Sequence, residues 1–359
     1  MKLNLVMIVK NEERSLRKCL KAARGLVDEI IIADTGSTDR TVSIAREMGA
    51  RVVDFVWIND FGAARNFALE QSDADWNLIL DADEYLRPCS RKGLEKLLKS
   101  RTGVWLGGLT RYDFYREEGG LSQSTSVLPR LLPRGVRYTG IIHEQPEGDH
   151  PCYRLPLSAD HDGYLYEDKG ERNLPYLRKA VTEYPEDGYY QFQLASTLRN
   201  LKQLEESLEA FRKFYRLADR QDSYRAGGVV LYLYTLLELG TPQCLDEAAA
   251  VVEREEEALG AWSDFCFVSG LFYMKRVLSD VAGYMSLLPR IESCYLRCLK
   301  LGERPELGGV VGTGSFKAAY NLGAWYEVSG QLEAAVKYYR MAARDGYEPA
   351  KERLRAMKR

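Results

Sequence analysis

Long apolar runs are missing from this 359-residue chain. None approaches the ~20 residues that a membrane-spanning helix needs, so no membrane span is expected. A dominant charge is missing as well. With 50 Lys and Arg against 52 Asp and Glu, the formal net charge is −2. That balance provides neither the basic footprint of a nucleic-acid binder nor a polybasic membrane patch. The seven cysteines are odd in number and show no paired zinc-type spacing. Cys294 and Cys298 share a helix face, but two sulfurs do not make a zinc site. Such usage fits reduced thiols in a cytoplasmic location rather than a disulfide framework. Residues 1–6 lead straight into an apolar strand pattern, so no signal peptide is expected. Histidine is scarce, limited to His143, His150 and His161. The length leaves room for two domains, each large enough for its own core.

Glycine is absent where a dinucleotide fold would need it. Residues 3–9 read as a first strand, and residues 11–24 as a helix with Leu16, Cys19, Leu20 and Ala23 at helical spacing. The turn between them, Val9-Lys10-Asn11-Glu12-Glu13, has no glycine, and no Walker A loop occurs. A second buried strand over 29–33 is closed by Asp34-Thr35-Gly36-Ser37-Thr38-Asp39. A helix over 40–48 follows, with Thr38 or Asp39 available as its N-cap. Then come a strand over 51–56, a helix over 61–71 and a strand over 75–80.

Strands alternating with such helices imply a largely parallel sheet with right-handed crossovers. The strand ends then share one edge, where ligands of open α/β sheets gather. Asp34 reaches that edge, and so does the pair Asp81 and Asp83, where the apolar run 78–80 stops. Alone, Asp-x-Asp also reads as a polar turn. At this edge, two carboxylates one residue apart offer hard oxygen to a divalent cation of the kind shared with substrate phosphates. Without a glycine cradle, a metal bridging a diphosphate to Asp83 is the natural substitute. Asp34, an acceptor only when ionised, suits the imide N–H of a uracil or a ribose hydroxyl.

Four segments carry a resemblance: Val6-Met7-Ile8-Val9-Lys10-Asn11-Glu12, Ile31-Ile32-Ala33-Asp34-Thr35-Gly36-Ser37-Thr38-Asp39, Asp60-Phe61-Gly62-Ala63-Ala64-Arg65-Asn66 and Leu80-Asp81-Ala82-Asp83-Glu84. In order and spacing the first ~150 residues resemble the family 2 glycosyltransferases, whose fold is the GT-A nucleotide-diphospho-sugar transferase domain. The resemblance implies a UDP-sugar donor and a Mn²⁺ or Mg²⁺ cofactor. It implies that Asp34 contacts the uracil, Asp81 the ribose or sugar, and Asp83 the metal, with Arg65 and Asn66 lining the donor pocket. Thr35 departs from the pattern, which often has a second Asp there.

The acceptor side reads less simply. Residues 124–132 suit a strand that Arg130, Pro133 and Arg134 break. Ile142-His143-Glu144 matches an "IHE" pattern found in a subset of these enzymes. Inverting transfer needs a base that takes the acceptor's proton, and Glu144 is the first choice for it; a salt-bridged structural Glu is the plainer alternative. His143 would orient the diphosphate. His161 lies where such enzymes bring a carboxy-terminal His to the metal, and imidazole does bind Mn²⁺.

From about residue 167 the texture turns helical. The expected domains are therefore 1–166, an α/β GT-A domain, and 167–359, an all-α tetratricopeptide-like domain. Tyr189 to Phe214 fits the 34-residue template, and a better copy runs through Leu322, Gly323, Tyr326, Gly330, Ala335, Tyr339 and Ala342. Gly323 and Ala335 would let two helices approach closely. Between the copies, 229–239, 246–259, 262–278 and 284–300 read as degenerate helices, 301–313 as a loop and 351–359 as a capping helix. Many of the 23 Tyr lie in this half; most are expected in the core, and a minority on a concave face that grips an extended peptide. The whole architecture resembles the bacterial peptide glycosyltransferases that modify glycocins of the sublancin type. It implies an enzyme that glycosylates a peptide or protein side chain recruited by the repeats. A glycan or lipid-linked acceptor with repeats used for homo-oligomerisation is one alternative, and an inactive binding module is another.

Overall fold

The computed structural model of the chain describes residues 1–117, 120–165, 170–305 and 307–357. The chain forms two compact units, Met1–Tyr115 with Gln123–Lys169, and Arg116–Ser122 with Gly170–Arg359. The expected boundary at 166/167 and the last two residues of the expected terminal helix lie outside the described residues.

The first unit is an α/β fold. Its strands are β1 (Leu3–Val9), β2 (Glu29–Asp34), β3 (Arg51–Asp54), β4 (Trp76–Ile79), β5 (Glu84–Leu86), β6 (Leu106–Glu117), β7 (Gly120–Pro133), β8 (Tyr138–Thr139), β9 (Gln145–Pro146) and β10 (Cys152–His161). Eight of them follow the order β3-β2-β1-β4-β7-β6-β10-β5 in the main sheet, and β8 pairs with β9 separately. Strand β1 is parallel to both β2 and β4. Because both faces of β1 are covered, its residues are nearly all apolar. Leu3, Leu5, Met7 and Val9 pack with Leu16, Cys19 and Leu20 of α1 (Leu16–Ala23). Val6, with Ile31 and Ile79, packs with Ala68 of α3 (Phe61–Glu70). The parallel registers pair Val9 with Asp34 and Val6 with Ile79. The residues after Ile79 therefore leave the sheet at the edge where Asp34 stands.

Several expected boundaries shift for identifiable reasons. Helix α1 starts at Leu16, not at 11, because Asn11 lies in the left-handed region at φ +55°. The glycine-free turn is instead tied to the loop after β2. Asn11 donates its N–H to Ser37 Oγ at 2.9 Å and accepts the Thr38 N–H at 2.8 Å. Helix α2 runs Thr41–Glu47 with Arg40 in the cap position, and neither Thr38 nor Asp39 occupies it; Asp39 still accepts the Thr41 N–H at 2.9 Å. Strand β3 stops at Asp54, since Val56 faces solvent. Helix α4 (Arg91–Leu98) lies between β5 and β6 in the chain. Strand β7 continues through Arg130, which does not break it. The long Arg130 side chain is buried because acidic partners await it.

The second unit is all-helical apart from its short 116–122 segment and a two-residue strand. It contains α5 (Gly170–Glu183), α6 (Gly188–Asn200), α7 (Leu204–Leu217), α8 (Arg225–Leu239), α9 (Pro242–Leu259), α10 (Ser263–Ser279), α11 (Val281–Tyr284), α12 (Leu288–Leu301), α13 (Phe316–Val328), α14 (Leu332–Arg344) and α15 (Glu348–Ala356). Both template matches fall on helix pairs, α6 with α7 and α13 with α14. A Cβ on Gly323 would lie 2.8 Å from the Tyr339 ring, so only glycine allows that approach. The expected helix over 284–300 begins at Leu288, with Pro289 in its first turn, where a missing N–H costs nothing. The expected loop over 301–313 is organised by carboxylates. Glu303 accepts the N–H groups of Gly312 and Gly314 at 3.0 and 3.2 Å, and Asp264 accepts that of Val310 at 2.7 Å. Of the described tyrosines in this unit only Tyr184 is exposed; the rest are buried or half-buried. Tyr189 and Tyr224, for example, join Phe192 and Phe214 in one ring cluster. Five of the described tyrosines of this unit, Tyr190, Tyr232, Tyr295, Tyr326 and Tyr339, are buried in the core, and ten are half-buried. No helix among the described residues is long and apolar enough to cross a membrane.

Candidate active site

Asp34 ends β2, buried to 6% exposure. Its Oδ2 accepts the N–H groups of Gly36 and Ser37 at 3.1 and 2.9 Å, which folds the loop back over the strand end. Its Oδ1 is buried with no partner among the described residues. A buried acceptor left unmade costs free energy that a ligand's N–H or O–H would recover.

Asp81 follows β4 and meets two buried guanidiniums. Arg65 Nη2 donates to its Oδ1 at 2.7 Å, and Arg130 Nη2 donates to its Oδ2 at 2.7 Å. Arg65 sits in the first half of α3, capped by Asp60, whose side chain accepts the Ala63 N–H at 2.8 Å. Gly62 on the same turn lets Gly140 O approach, because a Cβ there would lie 2.6 Å from that oxygen. The close approach brings Glu144 to Arg65, with which it forms a second, short ion pair. Burial disfavours charge on Arg65, but Asp81 and Glu144 outweigh it and hold the guanidinium firmly protonated. Glu144 is thus salt-bridged and nearly buried. His143 before it lies in the left-handed region at φ +50°, a costly place for a residue with a Cβ. Asn66 holds the main chain of Tyr138 from both sides, at 2.9 and 2.8 Å. Its amide fastens β8 to α3.

Asp83 and His161 come together. His161 ends β10, between Asp113 of β6 and Glu84 of β5 in the sheet register. Its Nδ1 lies 2.7 Å from Asp113 Oδ1, and its Nε2 lies 3.4 Å from Asp83 Oδ2. Burial works against the imidazolium, yet Asp113 and then Asp83 push its pKa up to about 9. A Cβ on Gly163 would collide with Asp83 Oδ2 and come within 2.7 Å of His161 Nε2. Glycine therefore keeps open the space beside both atoms. One carboxylate oxygen and one imidazole nitrogen at this spacing fit a shared small divalent cation. No cluster of three or more metal-binding side chains forms among the described residues. A Mn²⁺ or Mg²⁺ site completed by substrate phosphates needs only one or two protein ligands.

Arg130, read from the sequence only as a strand breaker, and Arg111 and Asp113, which the sequence reading did not single out, join these groups. Arg130 Nη2 also donates to Glu84 Oε1 at 2.6 Å. Arg111 pairs with Glu84 at 3.2 Å and with Asp113 at 2.8 Å. An alternating line of charges, Glu144–Arg65–Asp81–Arg130–Glu84–Arg111–Asp113–His161–Asp83, thus runs across the strand ends. Arg111 and Asp113 stand two apart in one strand, so they share a face; that spacing was the available signal.

These features define a sugar-nucleotide transferase fold of the GT-A kind. The family 2 glycosyl transferase pattern matches residues 5–150, and the chain belongs to that family, with a tetratricopeptide-like helical region after the transferase domain. A TPR repeat-containing protein of Synechococcus elongatus is 31% identical over 287 residues, covering 72% of this chain and 68% of its own. The SPbeta prophage-derived glycosyltransferase SunS of Bacillus subtilis is 26% identical over 218 residues, 58% of this chain. The chain spans about half, 51%, of SunS. Among solved structures, glucosyl-3-phosphoglycerate synthase from Mycobacterium tuberculosis in complex with Mn²⁺ and UDP-glucose is 26% identical, with a TM-score of 0.25, covering 32% of this chain and 44% of that one.

Proposed function

We propose that the chain is an inverting, metal-dependent glycosyltransferase that moves a sugar from a UDP-sugar to a peptide or protein side chain. The observation that carries the donor half is the Asp83–His161 pair under Gly163, and the open acceptor on Asp34 supports a uracil or ribose beside it. The distant similarity to SunS supports a peptide acceptor, and the helical unit is the surface that would recruit it.

In this reading Asp83 and His161 hold Mn²⁺ or Mg²⁺, which when bound offsets the negative charge that builds on the leaving diphosphate. Asp81, fixed on both oxygens, presents its remaining lone pairs to the ribose or sugar. The acceptor's oxygen or sulfur bonds to the anomeric carbon as that carbon's bond to the diphosphate oxygen breaks. The electron pair leaves with UDP, and the acceptor's proton passes to Glu144, which Arg65 orients. The test incubates the protein with a UDP-sugar panel, Mn²⁺ and peptides bearing Ser, Thr or Cys, and reads glycosylated product by mass. Glu144→Gln should lower transfer by roughly 10²–10⁴-fold, the usual worth of a general base, and leave UDP-sugar binding intact. Hydrolysis of a UDP-sugar with no peptide ever modified would favour a glycan or lipid-linked acceptor instead.

A further inference from the structure

We infer that Asp113 is a positioning residue for the cation site, acting through His161; this rests on the donor-site reading above. Parallel pairing of β6 with β10 sets Asp113 directly beside His161. Asp113 is buried, and its Oδ1 lies 2.7 Å from Nδ1 of the imidazole. Arg111 Nε lies 2.8 Å from the same oxygen, and Ser126 Oγ donates to Oδ2 at 3.4 Å. The carboxylate thus has a guanidinium beside the oxygen that meets the ring and a hydroxyl on its other oxygen, both favouring this orientation. By accepting the hydrogen bond from Nδ1–H, Asp113 keeps the proton on Nδ1, so that the proton an incoming cation displaces is the one on Nε2, the atom that faces Asp83. It also fixes the ring plane. A carboxylate behind a ligating His makes the imidazole a better donor, and removing such a partner typically weakens metal binding by about 10–100-fold.

The experiment titrates Mn²⁺ into the full chain by electron paramagnetic resonance, with saturating UDP present to supply the phosphate oxygens, for four proteins: wild type, Asp113→Ala, His161→Ala and the double variant. Asp113→Asn, equal in volume, replaces Asp113→Ala should that variant fail to fold by circular dichroism in chelator. The expected result is a Kd raised about 10–100-fold by Asp113→Ala, and no further rise when Asp113→Ala is added to His161→Ala. A residue that acts only on general stability would add its effect in both backgrounds. An unchanged Kd in Asp113→Ala, or an additive rise in the double variant, overturns the inference while leaving the cation site standing. Wild-type protein that binds no Mn²⁺ overturns the donor-site reading and the inference with it.

Discussion

Asp34 keeps one oxygen on two main-chain N–H groups and leaves the other buried and open. Asp34→Asn separates these two jobs. Its amide oxygen can retain the main-chain bonds while an NH₂ replaces the open acceptor and meets the ligand's donor head-on. UDP affinity measured by calorimetry should fall about tenfold or more, with the thermal midpoint held within about 2 °C. Gly163 makes the matching case on the metal side. Its φ is not in the left-handed region, so alanine is tolerated by the backbone and only the space is lost. Gly163→Ala should weaken Mn²⁺ binding by about tenfold or more in a spin-resonance titration, with far-UV dichroism unchanged. Equal Mn²⁺ affinity would show that the cation does not sit between Asp83 and His161.

Among the elements, strand ends were more legible than strand interiors. Asp34, Asp81 and Asp83 stood out because an apolar run stops at each, and a parallel sheet sends those stops to one edge. Arg130 reads as a strand breaker when taken alone, since a charged residue has no business in a buried strand. Its partners Asp81 and Glu84 are 49 and 46 residues away, and no local pattern announces a pairing across strands. Asp113 and Gly163 were hidden for the same reason. In the helical unit the small-residue positions were readable because their spacing is local. Gly323→Leu should drive its side chain into the Tyr339 ring and cost about 1–3 kcal/mol of overpacking, read as a lowered thermal midpoint.

The loop before α13 makes a pH prediction at the same scale. Burial pushes the Asp264 carboxyl up to about 6, against the Val310 N–H and the Thr313 hydroxyl, which favour its charged form. An Asp in the unfolded chain titrates at the ordinary carboxylate value of 3.8. Between these values the native state keeps a proton that the unfolded chain has released, so stability falls as pH rises through the window and levels off above it. Wild-type minus Asp264→Asn urea midpoints, followed across that window, should fall as pH rises. A flat difference would show that Asp264 is not buried as a neutral acid.

For the whole molecule, the transferase unit and the helical unit pose different questions. The transferase unit sets a line of ionisable groups from Glu144 to Asp83 in alternating sign, and each member of that line has an opposite neighbour. This arrangement keeps the site rigid before any ligand arrives, as electrostatic preorganisation requires. The helical unit keeps one described tyrosine, Tyr184, exposed and the others buried or half-buried. The central claim is that a divalent cation between Asp83 and His161 joins a UDP-sugar to this chain. The most direct measurement is UDP-sugar hydrolysis or transfer by wild type and Asp83→Ala, with Mn²⁺ and with chelator. The account predicts turnover by wild type with Mn²⁺, and its loss both in chelator and in Asp83→Ala. Equal turnover in Asp83→Ala, or turnover indifferent to chelator, would contradict it.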